Sequence, residues 1–191
     1  MSYFLMAQAP VKQKEVGLVF SSLNNFGLTY KTGTDKSLWR FNTLLLSGRN
    51  IEYVADSSEN TQNSMGFEVK VGKEYRKILA ENFELRYGAD LSFNYSYSKY
   101  VDATTSVNGF ERLREETTYR PGVNLVLGLN YLISDKLVIG AEILPYFTYS
   151  TGTSKEKNTY SNSDEEIIKD ISGFNYGLST SSVMLSLVYR F

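Results

Sequence analysis

The chain has 191 residues with 20 basic and 21 acidic side chains, no histidine and no cysteine. That length suits a single domain, and a net charge of -1 supplies no broad field for nucleic acid or an acidic membrane surface. The missing residue types exclude disulfides and thiolate chemistry and remove the commonest general base and transition-metal ligand, so no cofactor is expected.

The first nine residues, MSYFLMAQA, have the form of a truncated signal-peptide remnant. Ala7-Gln8-Ala9 is a small-x-small cleavage pattern, and Tyr3 to Met6 reads as the end of an apolar stretch. A basic leading region is absent and Pro10 counts against cleavage directly after Ala9. Residues 10–191 form the expected barrel domain.

From Glu15 onward the sequence predicts eight strands. Glu15 to Ser21 sets Val16, Leu18 and Phe20 on one face, and Phe26 to Lys31 does the same with Phe26, Leu28 and Tyr30. Ser37 to Gly48 carries Trp39, Phe41, Thr43 and Leu45 against Arg40 and Asn42, with Leu44 and Leu46 blurring the alternation. Ser64 to Lys77 resumes it, with Lys73 a blemish on the apolar face that snorkelling makes tolerable.

Phe83 to Ser98 is the clearest stretch: every odd position is apolar or aromatic and every even one is polar, charged or glycine. A period of two held for sixteen residues is a strand signal, and at about 3.3 Å per residue it reaches about 50 Å, long for a globular strand. Thr118 to Leu132, Leu137 to Ser150 and Phe174 to Phe191 complete the set. Pro121 and Pro145 fall inside strands, where each removes a ladder donor and suggests a bulge or rim. Gly88, Gly128 and Gly140 suggest bends or close side-chain crossings.

The connections at 32–36, 78–82 and 133–136 are short, while those at 49–63, 99–117 and 151–173 read as long polar loops. The two kinds alternate, as in an up-and-down barrel with tight turns at one rim and long loops at the other. The connection at 22–25 is short although it belongs to the long-loop rim. No apolar run approaches the roughly 18 residues of a membrane-crossing helix, and a mean hydropathy of -0.28 suits alternating strands equally well.

Aromatic positions assign the faces. Trp39, Tyr75, Phe83 and Tyr131 fall near one rim, and Tyr95, Tyr97, Tyr119 and Tyr149 near the other. Phe83 to Tyr95, and Tyr119 to Tyr131, each span twelve residues: about 40 Å of strand, or roughly 28 Å of height at a tilt near 45°. The apolar band of a membrane barrel is about 25 Å tall. The apolar face is therefore expected to meet lipid. The opposite face, with Arg40, Glu68, Lys70, Glu74, Arg76, Glu84, Arg86, Asp90, Arg120, Glu142 and Arg190, is expected to line a lumen that side chains fill and ion pairs plug.

Val183, Leu185, Leu187, Tyr189 and Phe191 alternate with Met184, Ser186, Val188 and Arg190, and the last residue is Phe. This resembles the carboxy-terminal signal that the assembly machinery of bacterial outer-membrane barrels reads. With eight strands and asymmetric loops, the chain resembles a small eight-stranded OmpA/OmpX-like barrel, and its tyrosine-rich segments NFGLTYKTG and ENFELRYGADLSFNYSYS are similar to barrels from the Bacteroidota. The resemblance implies an antiparallel up-and-down transmembrane β-barrel in the outer membrane, long loops extracellular and both termini periplasmic, with the bilayer and the barrel-assembly machinery as partners.

No enzyme is expected. The outer-membrane lipases, lipid A deacylases, palmitoyl transferases and omptin proteases use histidine, which this chain lacks. Glu84 and Asp90 are read as partners of Arg86 or Arg76, not as an acid–base pair. Asp164-Glu165-Glu166 with Asp170 lacks calcium-loop spacing and is read as solvated charge. The mixed-charge run Phe110 to Glu116 reads first as an exposed loop, and otherwise as a partner-binding ridge or a strand extension above the membrane. Three functions fit: a non-enzymatic barrel presenting loops for structural or adhesive contacts, an accessory subunit of a larger envelope complex for secretion, uptake or assembly, and a narrow channel or small-ligand carrier.

Overall fold

The computed structural model describes residues 12–22, 25–55, 58–104, 110–160, 163–178 and 182–191. The signal-like segment 1–9 lies outside them, as do the side chains of residues 44–47, where alternation blurs.

Ten strand segments build the chain: β1 (Lys12–Ser22), β2 (Asn25–Thr34), β3 (Ser37–Ala55), β4 (Ser58–Ala80), β5 (Phe83–Thr104), β6 (Phe110–Leu132), β7 (Leu137–Ile143), β8 (Tyr146–Tyr160), β9 (Ser163–Gly177) and β10 (Val183–Arg190). Each of β1 to β6 pairs antiparallel with the next. β7 and β8 are the lower and upper parts of one stave, both paired with β6 in the same register, Leu127 opposite Ile143 and Asn124 opposite Tyr146. β10 joins β7 to β1 and closes an eight-stave ring. Phe191 and Lys14 exchange backbone hydrogen bonds of 2.9 and 3.1 Å at the seam.

Pro145 explains the break in the seventh stave. It has no N–H to give the ladder, yet its carbonyl still accepts from the Leu125 N–H at 2.9 Å, so register survives the interruption. The last stave also divides: β9 ends at Gly177, whose φ of 140° favours glycine, and β10 begins at Val183. The expectation of one continuous strand from Phe174 to Phe191 is corrected accordingly.

A larger correction concerns the loops. Residues 49–63, 99–117 and 151–173 do not form irregular connections; most continue the strands. β3–β4 stay paired to Ala55–Ser58, β5–β6 to Thr104–Phe110 and β8–β9 to Tyr160–Ser163. The run Phe110 to Glu116 is accordingly the start of β6. Three long hairpins therefore project from one rim, whereas β1 and β2 join in a short hairpin where Ser22 faces Asn25.

The two faces are inverted relative to a soluble barrel. Outward residues include Leu91 (68% exposed) and Leu125 (58%), while Arg40, Arg86 and Asp90 are 1% exposed and Glu74 is 0%. Lys73, on the outer face, sets its ammonium 4.9 Å from the centre of the Trp39 ring, a cation–π contact.

Candidate functional site

The interior begins with alternation: each strand that turns an apolar side chain outward turns the next one inward. Five cations (Lys31, Arg40, Arg76, Arg86, Arg190) and five carboxylates (Glu15, Glu74, Glu84, Asp90, Glu142) meet in one connected set among the described residues. Arg40 grips Glu142 through two guanidinium nitrogens at 2.7 and 2.9 Å and reaches Glu74 and Asp90 at 3.2 Å each. Arg76 takes Glu15 at 2.6 and 2.7 Å and Glu74 at 2.7 Å. Lys31 closes on Glu74 at 2.7 Å, and Arg190 bridges Glu15 at 3.0 Å and Glu84 at 3.0 Å. Such bidentate, charge-assisted contacts are the strong class of hydrogen bond.

Glycines make two of these pairs possible. Arg40, Gly72 and Asp90 lie opposite one another on β3, β4 and β5, and Arg86, Gly128 and Glu142 do so on β5, β6 and β7. In each row the middle strand offers no side chain, so the arginine crosses it. A Cβ on Gly72 would collide with Asp90 Oδ1, and one on Gly128 would sit 2.9 Å from Arg86 Nε. Arg86 thereby reaches Glu142 at 3.1 Å. Glu84 and Asp90 were expected to pair with Arg86 or Arg76: Glu84 does meet Arg76 at 3.7 Å, with Arg190 closer at 3.0 Å, while Asp90 is taken by Arg40.

Glu15 and Lys31 belong to this set although the sequence-based selection omits them. Both alternate with outward residues, Glu15 with Val16 and Lys31 with Tyr30, so the same period-two rule would have placed them inward. Of the charged residues expected to line the lumen, Glu68, Lys70 and Arg120 lie apart. Lys70 pairs with Glu68 at 3.1 Å, and Arg120 donates to Asn94 Oδ1 at 3.1 Å. Together with Ser92, Asn124, Tyr146 and others they line a cavity of about 420 Å³ on the hairpin side. Val19, Val126, Leu144 and Met184 form a buried apolar cluster. Leu144 also lines the cavity, while Met184 stands opposite Glu142 in register, so apolar side chains adjoin both the cavity and the ionic set.

Aromatic side chains of the outer face pack against one another across neighbouring strands in two groups. Phe83 and Tyr131 pack at 5.1 Å and Tyr75 stacks on Tyr87 at 5.7 Å, near Trp39. In the other group Phe67, Tyr95 and Tyr119 form a cross-strand row with ring separations of 5.6 and 5.5 Å. Tyr149 meets Phe174 at 5.0 Å, and Tyr97 donates to Glu115 at 3.2 Å. In the β8–β9 hairpin, Asp164 pairs with Lys157 at 3.0 Å, and that hydrogen bond holds its carboxyl below the usual range. No cluster of three potential metal ligands occurs among the described residues. The signal-like residues Val183, Leu185, Leu187, Tyr189 and Phe191 all face outward and are exposed.

Residues 49–168, more than half of the chain, match the sequence profile of the OmpA-OmpF-like porin family. Among solved structures the chain is similar to Ail, the attachment invasion locus protein of Yersinia pestis, with 15% identity and a TM-score of 0.40 over 96% of this chain and 100% of that one. It is also similar to CarO of Acinetobacter baumannii, with 10% identity and a TM-score of 0.41 over 95% and 96%. A third similarity is to LpxR from Salmonella typhimurium, with 9% identity and a TM-score of 0.26 over 94% and 99%. No curated protein matches the chain.

Proposed function

The chain belongs to the OmpA-OmpF-like porin family and is an outer-membrane β-barrel; from that premise we propose that it is a non-enzymatic barrel whose lumen is plugged by its own ion pairs and whose three long hairpins make structural or adhesive contacts. The observation that carries this reading is the inversion of faces: Leu91 and Leu125 outside, Arg40, Glu74, Arg86 and Asp90 inside. A bilayer is the solvent that stabilises such an arrangement. The balanced charges explain how an interior this polar is tolerated, because each buried charge has an opposite partner. On the same reading, the two aromatic groups are interfacial girdles, the hairpins are extracellular, the termini are periplasmic, and residues 183–191 serve the assembly machinery.

Three measurements test it. Planar-bilayer recordings are expected to show no steady open current; a sustained conductance would overturn the plug. Protease added to intact cells is expected to cut within the hairpins, and protection of all three would reverse the orientation. Membrane crosslinking with mass spectrometry is expected to yield no stoichiometric envelope partner; one such partner would favour an accessory subunit instead.

A further inference from the structure

We propose that the hairpin-side half of the lumen is a binding cup for a small polyhydroxylated carboxylate of the sugar-acid class. The starting point is a third register row. Glu68, Asn94 and Arg120 lie opposite one another on β4, β5 and β6, the same spacing that elsewhere sets arginine, glycine and carboxylate in line. Here the middle residue is Asn94, whose amide occupies the crossing and accepts from Arg120 at 3.1 Å. Glu68 pairs with Lys70 instead. Arg120 is left with no carboxylate among the described residues, unlike the five cations of the ionic set, and the cup keeps one uncompensated positive charge.

A second, independent feature lies beside it. Asn124 is 6% exposed, lines the cup, and its Oδ1 has no hydrogen-bond partner among the described residues. Such atoms also occur on Arg86, Asp90 and Ser186, but of these four residues Asn124 is the one that lines the cup, and a buried polar atom without a partner calls for an explanation. A ligand hydroxyl would donate to that oxygen while its carboxylate takes the Arg120 guanidinium, a fork that matches carboxylate geometry. Tyr146 lines the same cup and offers an aromatic body with a polar tip for a sugar ring. The volume of about 420 Å³ lies in the range of small-molecule sites.

Other ligand classes fit less well. A neutral sugar leaves Arg120 uncompensated, an apolar solute leaves both Arg120 and Asn124 unsatisfied, and a cation meets net positive charge. The cup does not depend on what the hairpins contact or on which side of the membrane they face, so its test stands apart from those above.

The test is titration calorimetry on the full chain refolded in detergent micelles, with glucuronate, glucuronamide and glucose as probes. Glucuronate is expected to bind saturably, at least about tenfold tighter than either neutral probe, a difference of about 1.4 kcal/mol. Arg120→Gln is expected to lose that tenfold preference. Folding of the variant is checked by its heat-dependent gel shift. Should Arg120→Gln fail to fold, Asn124→Asp serves the same purpose, since an internal carboxylate beside the cup competes for Arg120 and is expected to abolish glucuronate binding. No saturable binding at millimolar glucuronate, equal affinity for the three probes, or a folded variant of either kind that binds glucuronate normally would each overturn the proposal.

Discussion

Arg40→Ala is the sharpest probe of the interior. Arg40 touches three carboxylates, but its loss does not strand all three. Glu142 keeps Arg86 at 3.1 Å, and Glu74 keeps Lys31 at 2.7 Å and Arg76 at 2.6 Å. Asp90, 1% exposed, has Arg40 as its ion-pair partner among the described residues and would be left buried and uncompensated. The cost should therefore be that of one orphaned charge, about 3 to 5 kcal/mol, not three times as much. The assay is equilibrium folding into lipid vesicles in urea, followed by the fluorescence of Trp39, the chain's single tryptophan, which faces outward and is 50% exposed. Adding Asp90→Asn to Arg40→Ala removes the stranded charge and is expected to recover much of the loss, since neighbours in one network are not additive. A loss below about 1 kcal/mol for Arg40→Ala would match a solvent-screened pair and refute a dry, packed lumen.

Four further outcomes follow from the same geometry. Leu125 lies midway between Tyr119 and Tyr131 on the outer face of β6, and Leu125→Arg should cost about 2 to 4 kcal/mol in lipid; an unchanged folding free energy would misplace the midplane. Gly128→Val should displace the Arg86 guanidinium and cost about 1 to 3 kcal/mol by overpacking, measured in the same urea assay. Arg120→Ala should cost less than about 1 kcal/mol, because no buried carboxylate loses a partner; a cost like that of Arg40→Ala would place Arg120 in the ionic set. In the β8–β9 hairpin the Lys157 hydrogen bond holds the Asp164 carboxyl low, so its charged form persists to lower pH than usual. Lys157→Ala should move the Asp164 carboxyl titration, followed by NMR, upward toward the ordinary carboxylate range.

The legible parts of the chain are those where the two faces meet different surroundings. Phe83 to Ser98 alternates sharply because one side packs against lipid and the other against ionic partners. The hairpin strands carry no such contrast: in β9, SDEEIIKDISGFNYG, almost every residue is exposed, so polar side chains occupy both faces and the backbone ladder leaves no periodic mark. Hence residues 151–173 read as loop although 151–160 on β8 pair residue by residue with 163–172 on β9. Glu15 and Lys31 are left out for another reason. They sit at the ends of two short predicted strands, 15–21 and 26–31, where a charge reads as the start of a turn, whereas β1 begins at Lys12 and β2 runs to Thr34.

Partner identity inside the barrel depends on geometry that sequence proximity hides. Arg76 and Arg86 face each other across β4 and β5, a repulsive neighbour pair, and each is neutralised by an acid from elsewhere: Arg76 by Glu15, 61 residues away, and Arg86 by Glu142. Arg40 and Glu142 are 102 residues apart. Only closure of the ring brings them together, and only the glycines at 72 and 128 leave the crossings open.

That device divides the barrel by height. Toward the tight turns, glycine between cation and carboxylate lets charges neutralise within the protein, and the interior serves stability. Toward the hairpins, Asn94 fills the equivalent crossing, and among the described residues Arg120 has no carboxylate and Asn124 Oδ1 no hydrogen-bond partner. The lower half also holds buried atoms without a hydrogen bond, on Arg86, Asp90 and Ser186, but Arg86 and Asp90 each keep an oppositely charged partner, whereas Asn124 lines the open cavity. Stability and binding should therefore separate under mutation. Variants of Arg40 or Gly128 should unfold more easily without altering the Arg120 side of the cup, and Arg120→Gln should change what the cup holds while the barrel stays as stable as before.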